Sequence, residues 1–348
     1  MTRLSDRTAI SKVLVLILSI AFMLLMFYIG MPLVKPTLNT LHCQNAGRIV
    51  VWSIRKDNPV SSGHVEVICA DGSGAVYQPL LSVIKDAQDA VYSPDGNRVA
   101  LIPSSLQDDL MPYTSQDNRD HIWIMNSDGS GLVRLSNIHR HESYPAWSPD
   151  NQRLAFSPSM ITDEPDGGIY VTDLMCVDTG QDCASTTTLL VSDGFCPAWS
   201  PNSKSIAFVA GDLSGNNNFN WEIFVVNVDG SNRVNLTRNP ADDFCPVWSP
   251  NGQSIVFYSL REPSGIYMMN ADSSNPTFIT DGDRPKWSPN GEFIAFISAR
   301  DNGGRVIPLF PDSSAPAEAL YLMARDGSKI IKLTHHDYEA ITEYFWLP

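Results

Sequence analysis

The chain has 348 residues, with 38 acids against 24 bases and a formal net charge of −14. Nucleic-acid binding needs a positive electrostatic footprint, which this composition lacks, so no nucleic-acid partner is expected. Apolar residues at 43% are too many for a disordered chain, while 24 prolines and 22 glycines break long helices and favour short strands joined by turns.

In chain order, Arg3, Arg7 and Lys12 precede the charge-free run 13–34, VLVLILSIAFMLLMFYIGMPLV, and Lys35 follows it. About 20 apolar residues span a bilayer as a helix, whereas the apolar region of a removable signal peptide is about 7–15 residues long. No small-x-small cleavage site follows the run, and the basic residues ahead of it hold the N-terminus inside. The expectation is a cytoplasmic tail at 1–12 and a single-pass transmembrane signal anchor at 13–34 in the cytoplasmic membrane. A linker at 35–46 and an extracytoplasmic body at 47–348, periplasmic or extracellular, then follow.

Six cysteines suit an oxidising compartment. Cys176 and Cys183 flank a short polar stretch between two apolar runs, where a disulfide across a hairpin is expected. Cys196 and Cys245 each occur in Phe-Cys-Pro-x-Trp. They either pair with each other or remain two separate thiols. Cys43 and Cys69 are the remaining candidate pair.

From residue 47 onward one pattern recurs: Tyr92-Ser-Pro-Asp-Gly, Trp147-Ser-Pro-Asp-Asn, Trp199-Ser-Pro-Asn-Ser, Trp248-Ser-Pro-Asn-Gly and Trp287-Ser-Pro-Asn-Gly. A strand follows each copy (Val99-Ala-Leu, Leu154-Ala-Phe, Ile206-Ala-Phe, Ile255-Val-Phe, Ile294-Ala-Phe), then a second apolar run, ending at Asp-Gly in three of them (Asp128, Asp229, Asp326), then a fourth short strand. Period-two alternation and Asp-Gly or Asn-Gly turns describe antiparallel hairpins. Each unit thus reads as four strands, A to D. The interval of roughly 40–55 residues between copies is a propeller-blade length, and such blades bury both faces only by stacking in a ring. Residues 48–53 look like a strand B with no A before it, and residues 344–348 like an A with no B after it. Joined, they form a split blade, so the expected architecture is an all-β, six-bladed β-propeller whose first blade takes strand A from the C-terminus, preceded by one N-terminal transmembrane helix.

These Pro-x-Trp-Ser-Pro-Asp/Asn-Gly, Ile-Ala-Phe and Ile-Tyr-x-Met-Asn elements, spread over 47–348, resemble the TolB-type, WD40-like propeller repeat. The resemblance implies the fold and a habit of binding proteins or peptides. It does not extend to the α/β domain that stands ahead of the propeller in TolB, nor to the hydrolase domain that follows one in prolyl oligopeptidase relatives.

In antiparallel blades the B–C and D–A connections share one face, and the tight turns occupy the other. The long loops 103–119, 158–167, 210–219 and 299–318 therefore make the candidate partner-binding face, with Asp108, Asp109, Tyr113, Asp117, Asp163, Glu164, Arg300 and the apolar Phe310. The D–A connections place His139, His141, Glu142, Asp193, Asp243, Asp283, His335 and His336 at the channel mouth. Imidazoles and carboxylates are metal ligands, yet these lack ligand spacing. No cofactor is expected, with a divalent metal as the lesser alternative. Neither a Gly-x-Ser-x-Gly elbow nor a His-Glu-x-x-His motif is present. The sequence thus favours a membrane-anchored module that binds an envelope protein or peptide over the alternative, a metal-assisted lyase or hydrolase acting on acidic glycans or peptides. A purely structural role for the propeller is a third reading.

Overall fold

The structure is a computed structural model that describes residues 47–55, 64–70, 75–77, 87–103, 121–135, 142–158, 167–180, 183–212, 219–302, 318–334 and 338–347. The expected tail, anchor and linker at 1–46 lie outside the described residues. Among the described residues, no helix is long and apolar enough to cross a membrane.

The described residues form six four-stranded antiparallel sheets. Blade 2 comprises Ala87–Tyr92, Arg98–Pro103, Trp123–Asn126 and Val133–Arg134; blade 3, Glu142–Trp147, Arg153–Pro158, Ile169–Asp173 and Thr187–Val191. Blade 4 comprises Phe195–Trp199, Ser205–Asp212, Asn220–Asn227 and Val234–Asn235; blade 5, Asp243–Trp248, Ser254–Ser259, Gly265–Asn270 and Thr277–Thr280. Blade 6 comprises Asp283–Trp287, Phe293–Ser298, Ala319–Ala324 and Ile331–Lys332. In blade 1 the C-terminal strand Tyr338–Leu347 pairs with Arg48–Arg55, followed by His64–Cys69 and Ala75–Tyr77. The split blade is therefore present, in the register Ile49 to Trp346 and Val51 to Tyr344. The A strands of neighbouring blades touch in succession, which makes A the innermost strand.

The repeated Ser-Pro-Asp/Asn builds the A–B turn. In blade 2 the Ser93 hydroxyl donates to the Asp95 carboxylate at 2.6 Å and accepts from the Arg98 N–H at 2.9 Å, while Asp95 accepts from the Asn97 N–H at 3.1 Å. Ser200 with Asn202, Ser249 with Asn251 and Ser288 with Asn290 repeat the clip. All of these serines are buried, so the clip satisfies polar groups that would otherwise be stranded.

Strand B fills the space between blades. Ile206, Phe208, Ile255, Phe257, Ile294 and Phe296 are fully buried, and each phenylalanine stacks on an aromatic of strand C: Phe208 on Phe224, Phe257 on Tyr267, Phe296 on Tyr321. The A-strand tryptophan reaches back one blade. The Trp147 indole donates to the Val91 carbonyl at 2.9 Å, Trp199 to Ala146 at 3.0 Å, and Trp346 to Lys286 at 3.2 Å. The C-terminal strand thus makes the same inter-blade bond as the A strands of blades 3 and 4, and Phe345 packs on Tyr92 of the next blade at 5.1 Å between ring centres.

The C–D connection of blade 3 departs from the simple hairpin expected there. A short helix, Met175–Thr179, and a 3-10 turn, Cys183–Thr186, stand where a tight turn would close the hairpin, and the Cys176–Cys183 disulfide ties them together. Five residues of helix cannot hold themselves in water, so the cross-link and the buried flank of Leu174 and Cys176 carry it.

Candidate functional site at the mouth of the propeller

Strand A carries a bulge in blades 3 to 6. The ladder skips from Ser143 to Ala146, Phe195 to Ala198, Phe244 to Val247 and Asp283 to Lys286. The residue at the skip is left-handed each time: Tyr144, Cys196, Cys245 and Arg284, with φ of 56°, 55°, 45° and 48°. A proline follows each of them, removing a ladder donor where the bulge would leave one unpaired. The four blades therefore present a phenol, two sulfurs and a guanidinium at one equivalent position. The two sulfurs form the Cys196–Cys245 disulfide, with Cα atoms 5.3 Å apart, joining the innermost strands of blades 4 and 5.

Two positions before the bulge stand Glu142, Gly194, Asp243 and Gly282. Gly194 has φ of 109°, and a Cβ there would lie 2.6 Å from the Val209 carbonyl, so no side chain fits. Blades 3 and 5 place buried acids instead.

An aromatic chain runs outward from this level. Tyr144 lies 6.1 Å from Phe195, Phe195 meets Trp221 edge-on at 5.2 Å, and Trp221 meets Phe219 edge-on at 4.8 Å. Phe195 is buried, Trp221 half-buried and Phe219 54% exposed, so the chain leads from core to solvent. Phe219 lies directly over Gly211, where a Cβ would come 2.3 Å from its ring. Leu260, directly after strand B of blade 5, is 45% exposed. Asp242 links the two blades' loops: its carboxylate accepts from the Trp221 N–H and its carbonyl from the Leu260 N–H, both at 2.9 Å.

Charges on this face are paired within the fold. The Arg261 guanidinium donates to Asp243 at 2.7 Å and stacks over Phe257 and Tyr267. Arg300 bonds the Asp281 carboxylate at 3.0 Å and covers Phe296 and Tyr321, repeating the arrangement one blade on. Arg284 reaches Glu318 at 2.9 Å and the Ile341 carbonyl at 2.8 Å. Burial pushes the Asp243 carboxyl up to about 6, against the opposing pull of the Ser259 hydroxyl and of Arg261.

Of the residues singled out from the sequence, Arg300, Glu142, Asp193, Asp243 and Asp283 are placed by the structure, as are Cys69, Cys176, Cys183, Cys196 and Cys245. Asp108, Asp109, Tyr113, Asp117, Asp163, Glu164, Phe310, His139, His141, His335, His336 and Cys43 lie outside the described residues. Glu142, Asp243 and Asp283 are buried rather than exposed on a rim. Glu142 accepts from the Ile122 N–H at 2.9 Å, and Asp193 is held in a two-bond pair by Arg233 at 2.6 and 2.7 Å. Cys176 pairs with Cys183 and Cys196 with Cys245, and Cys69 is also disulfide-bonded. The described cysteines thus hold the state of an oxidising, extracytoplasmic compartment. Among the described residues there is no group of three or more metal-ligating side chains. Phe219, Trp221 and Arg261 escaped the sequence reading. The signal for the first two was an aromatic pair on either side of Asn220, closing the asparagine-rich stretch that begins at Asn216.

The chain is 30% identical over 126 residues to YuxL, an uncharacterized peptidase of Bacillus subtilis (strain 168), a stretch that is 36% of this chain and 17% of that relative. It therefore spans about a sixth of the relative's length. TolB from Acinetobacter baumannii superposes with a TM-score of 0.61 at 17% identity, over 87% of this chain and 67% of that one. A putative TolB from Agrobacterium tumefaciens gives 0.54 at 19% identity, over 83% and 88%. At such identities the likeness concerns the fold. A family model described as the TolB beta propeller domain matches residues 113–320, more than half of the sequence, and with the six closed blades this places the chain in the TolB beta propeller domain family.

Proposed function

We propose that the chain is an extracytoplasmic binding module that captures a basic protein or peptide on its long-loop face, over the aromatic patch of blades 3 and 4. The observation that carries this reading is the graded chain Phe195–Trp221–Phe219, whose outer member is more than half exposed although it could have been a small polar loop residue. Aromatics that are rigid at one end and open at the other suit partner anchoring. The net charge of −14 steers cationic partners and makes their capture salt-sensitive. The apolar run 13–34 would tether the module to the membrane, with 35–46 as its stem.

The test is recovery from envelope extract on the immobilised protein, beside a Phe219→Ala/Trp221→Ala variant. Partners retained by the native chain at low salt should be lost by the variant and released as salt is raised. Equal recovery by both proteins would remove the patch from the binding surface.

A further inference from the structure

The described disulfides differ in where they sit. Cys176, Cys183 and Cys69 are 0%, 3% and 1% exposed, whereas Cys196 and Cys245 are both half-buried, beside the aromatic patch. Thiol–disulfide exchange requires an attacking sulfur to reach one sulfur of the bridge, so access separates these pairs before any other property does.

The Cys196–Cys245 bridge is also dispensable to the local backbone. Tyr144 and Arg284 occupy the equivalent position in blades 3 and 6, with the same left-handed φ, the same register skip and the same following proline, and no sulfur. The bulge therefore belongs to the blade. Nor does the contact between blades 4 and 5 depend on the bridge. Ile223 and Leu236 of blade 4 pack with Ile255 and Phe257 of blade 5 in one buried cluster, and Phe195 with Phe244 in another. Asp242 adds a bond across the seam.

We propose that Cys196–Cys245 is a reversible modification site, a bridge that an external dithiol opens while the propeller stays closed. A thiolate of the dithiol attacks one bridge sulfur, the S–S bond breaks, and the other cysteine leaves as a thiolate and takes up a proton. The second thiol of the reagent then displaces the first cysteine from the mixed disulfide. Two electrons and two protons pass to the protein, and the dithiol becomes a disulfide. The product carries two free thiols at the mouth.

The full-length oxidised protein is treated with rising dithiothreitol, quenched at intervals with iodoacetamide, and the labelled cysteines are located by mass spectrometry while circular dichroism follows the fold. Cys196 and Cys245 should label at least tenfold faster than Cys176 and Cys183, with the spectrum unchanged, and oxidised glutathione should restore the bridge. A Cys196→Ser/Cys245→Ser variant should fold and lose the fast phase. Equal or earlier labelling of Cys176 and Cys183 would overturn the proposal. So would labelling that coincides with unfolding, or a variant that fails to fold.

Discussion

The hydroxyl of Tyr344, on the last strand of the chain, donates to the carbonyl of Ala295 in blade 6 at 2.9 Å, inside a fully buried pocket. The same oxygen also bonds the Arg284 carbonyl. Lys286 returns the contact, its ammonium donating to the Tyr344 carbonyl at 2.7 Å. This is the seam that closes the ring, where the C-terminal strand supplies what every other blade carries internally. Tyr344→Phe keeps the ring and removes the donor, which should cost about 1–3 kcal/mol. Tyr344→Ala, which also opens a cavity, should cost about 3–5 kcal/mol. Urea unfolding followed by tryptophan fluorescence measures both, and a neutral Tyr344→Ala would mean that the seam contributes nothing to stability.

The inter-blade tryptophans are not equivalent. Trp199 donates to Ala146 and lies under the Arg153 guanidinium, 4.7 Å from its centre. The Trp248 indole nitrogen is buried with no hydrogen-bond partner among the described residues. Trp199→Phe loses a hydrogen bond and a strong cation–π face, so it should destabilise by about 1–2 kcal/mol more than Trp248→Phe. Thermal melts of the two variants side by side decide this, and the reverse order would refute it.

Asp243 gives the fold a pH dependence of definite sign. In the folded chain its carboxyl holds a proton up to about pH 6, but in the unfolded chain only up to about pH 4. Between those values the native state binds the more protons, so this group's contribution to stability declines as pH rises from about 4 to about 6 and is level above. Asp243→Asn should flatten that part of the stability profile relative to the native protein. Parallel slopes for the two proteins across this window would show that the carboxyl does not titrate there.

Gly211 makes room for the aromatic patch without contributing a side chain. A methyl group there would meet the Phe219 ring. Phe219 is more than half exposed and can swing away, so Gly211→Ala should leave the melting temperature within a few degrees while partner capture falls toward that of the Phe219→Ala/Trp221→Ala variant. Undiminished capture would mean that the seated position of Phe219 is immaterial.

Much of this architecture was legible in the residues themselves. The five Ser-Pro-Asp/Asn turns, the Ile-Ala-Phe triplets and the orphan strands at Arg48 and Tyr344 specify blade number and closure, because turn chemistry and period-two burial are local properties that repeat with the chain. Tertiary structure alone decided the rest. Cys196 and Cys245 stand 49 residues apart in sequence, and only the meeting of two innermost strands makes them partners. Asp243 reads as one more acid in an acidic protein until Ser259, Arg261 and the neighbouring blade enclose it. The left-handed turn shared by Tyr144, Cys196, Cys245 and Arg284 leaves no mark in the type of its own residue, since a phenol, two sulfurs and a guanidinium adopt it and only the following proline repeats. Pairing and burial depend on what other blades bring alongside, which no local stretch of sequence encodes.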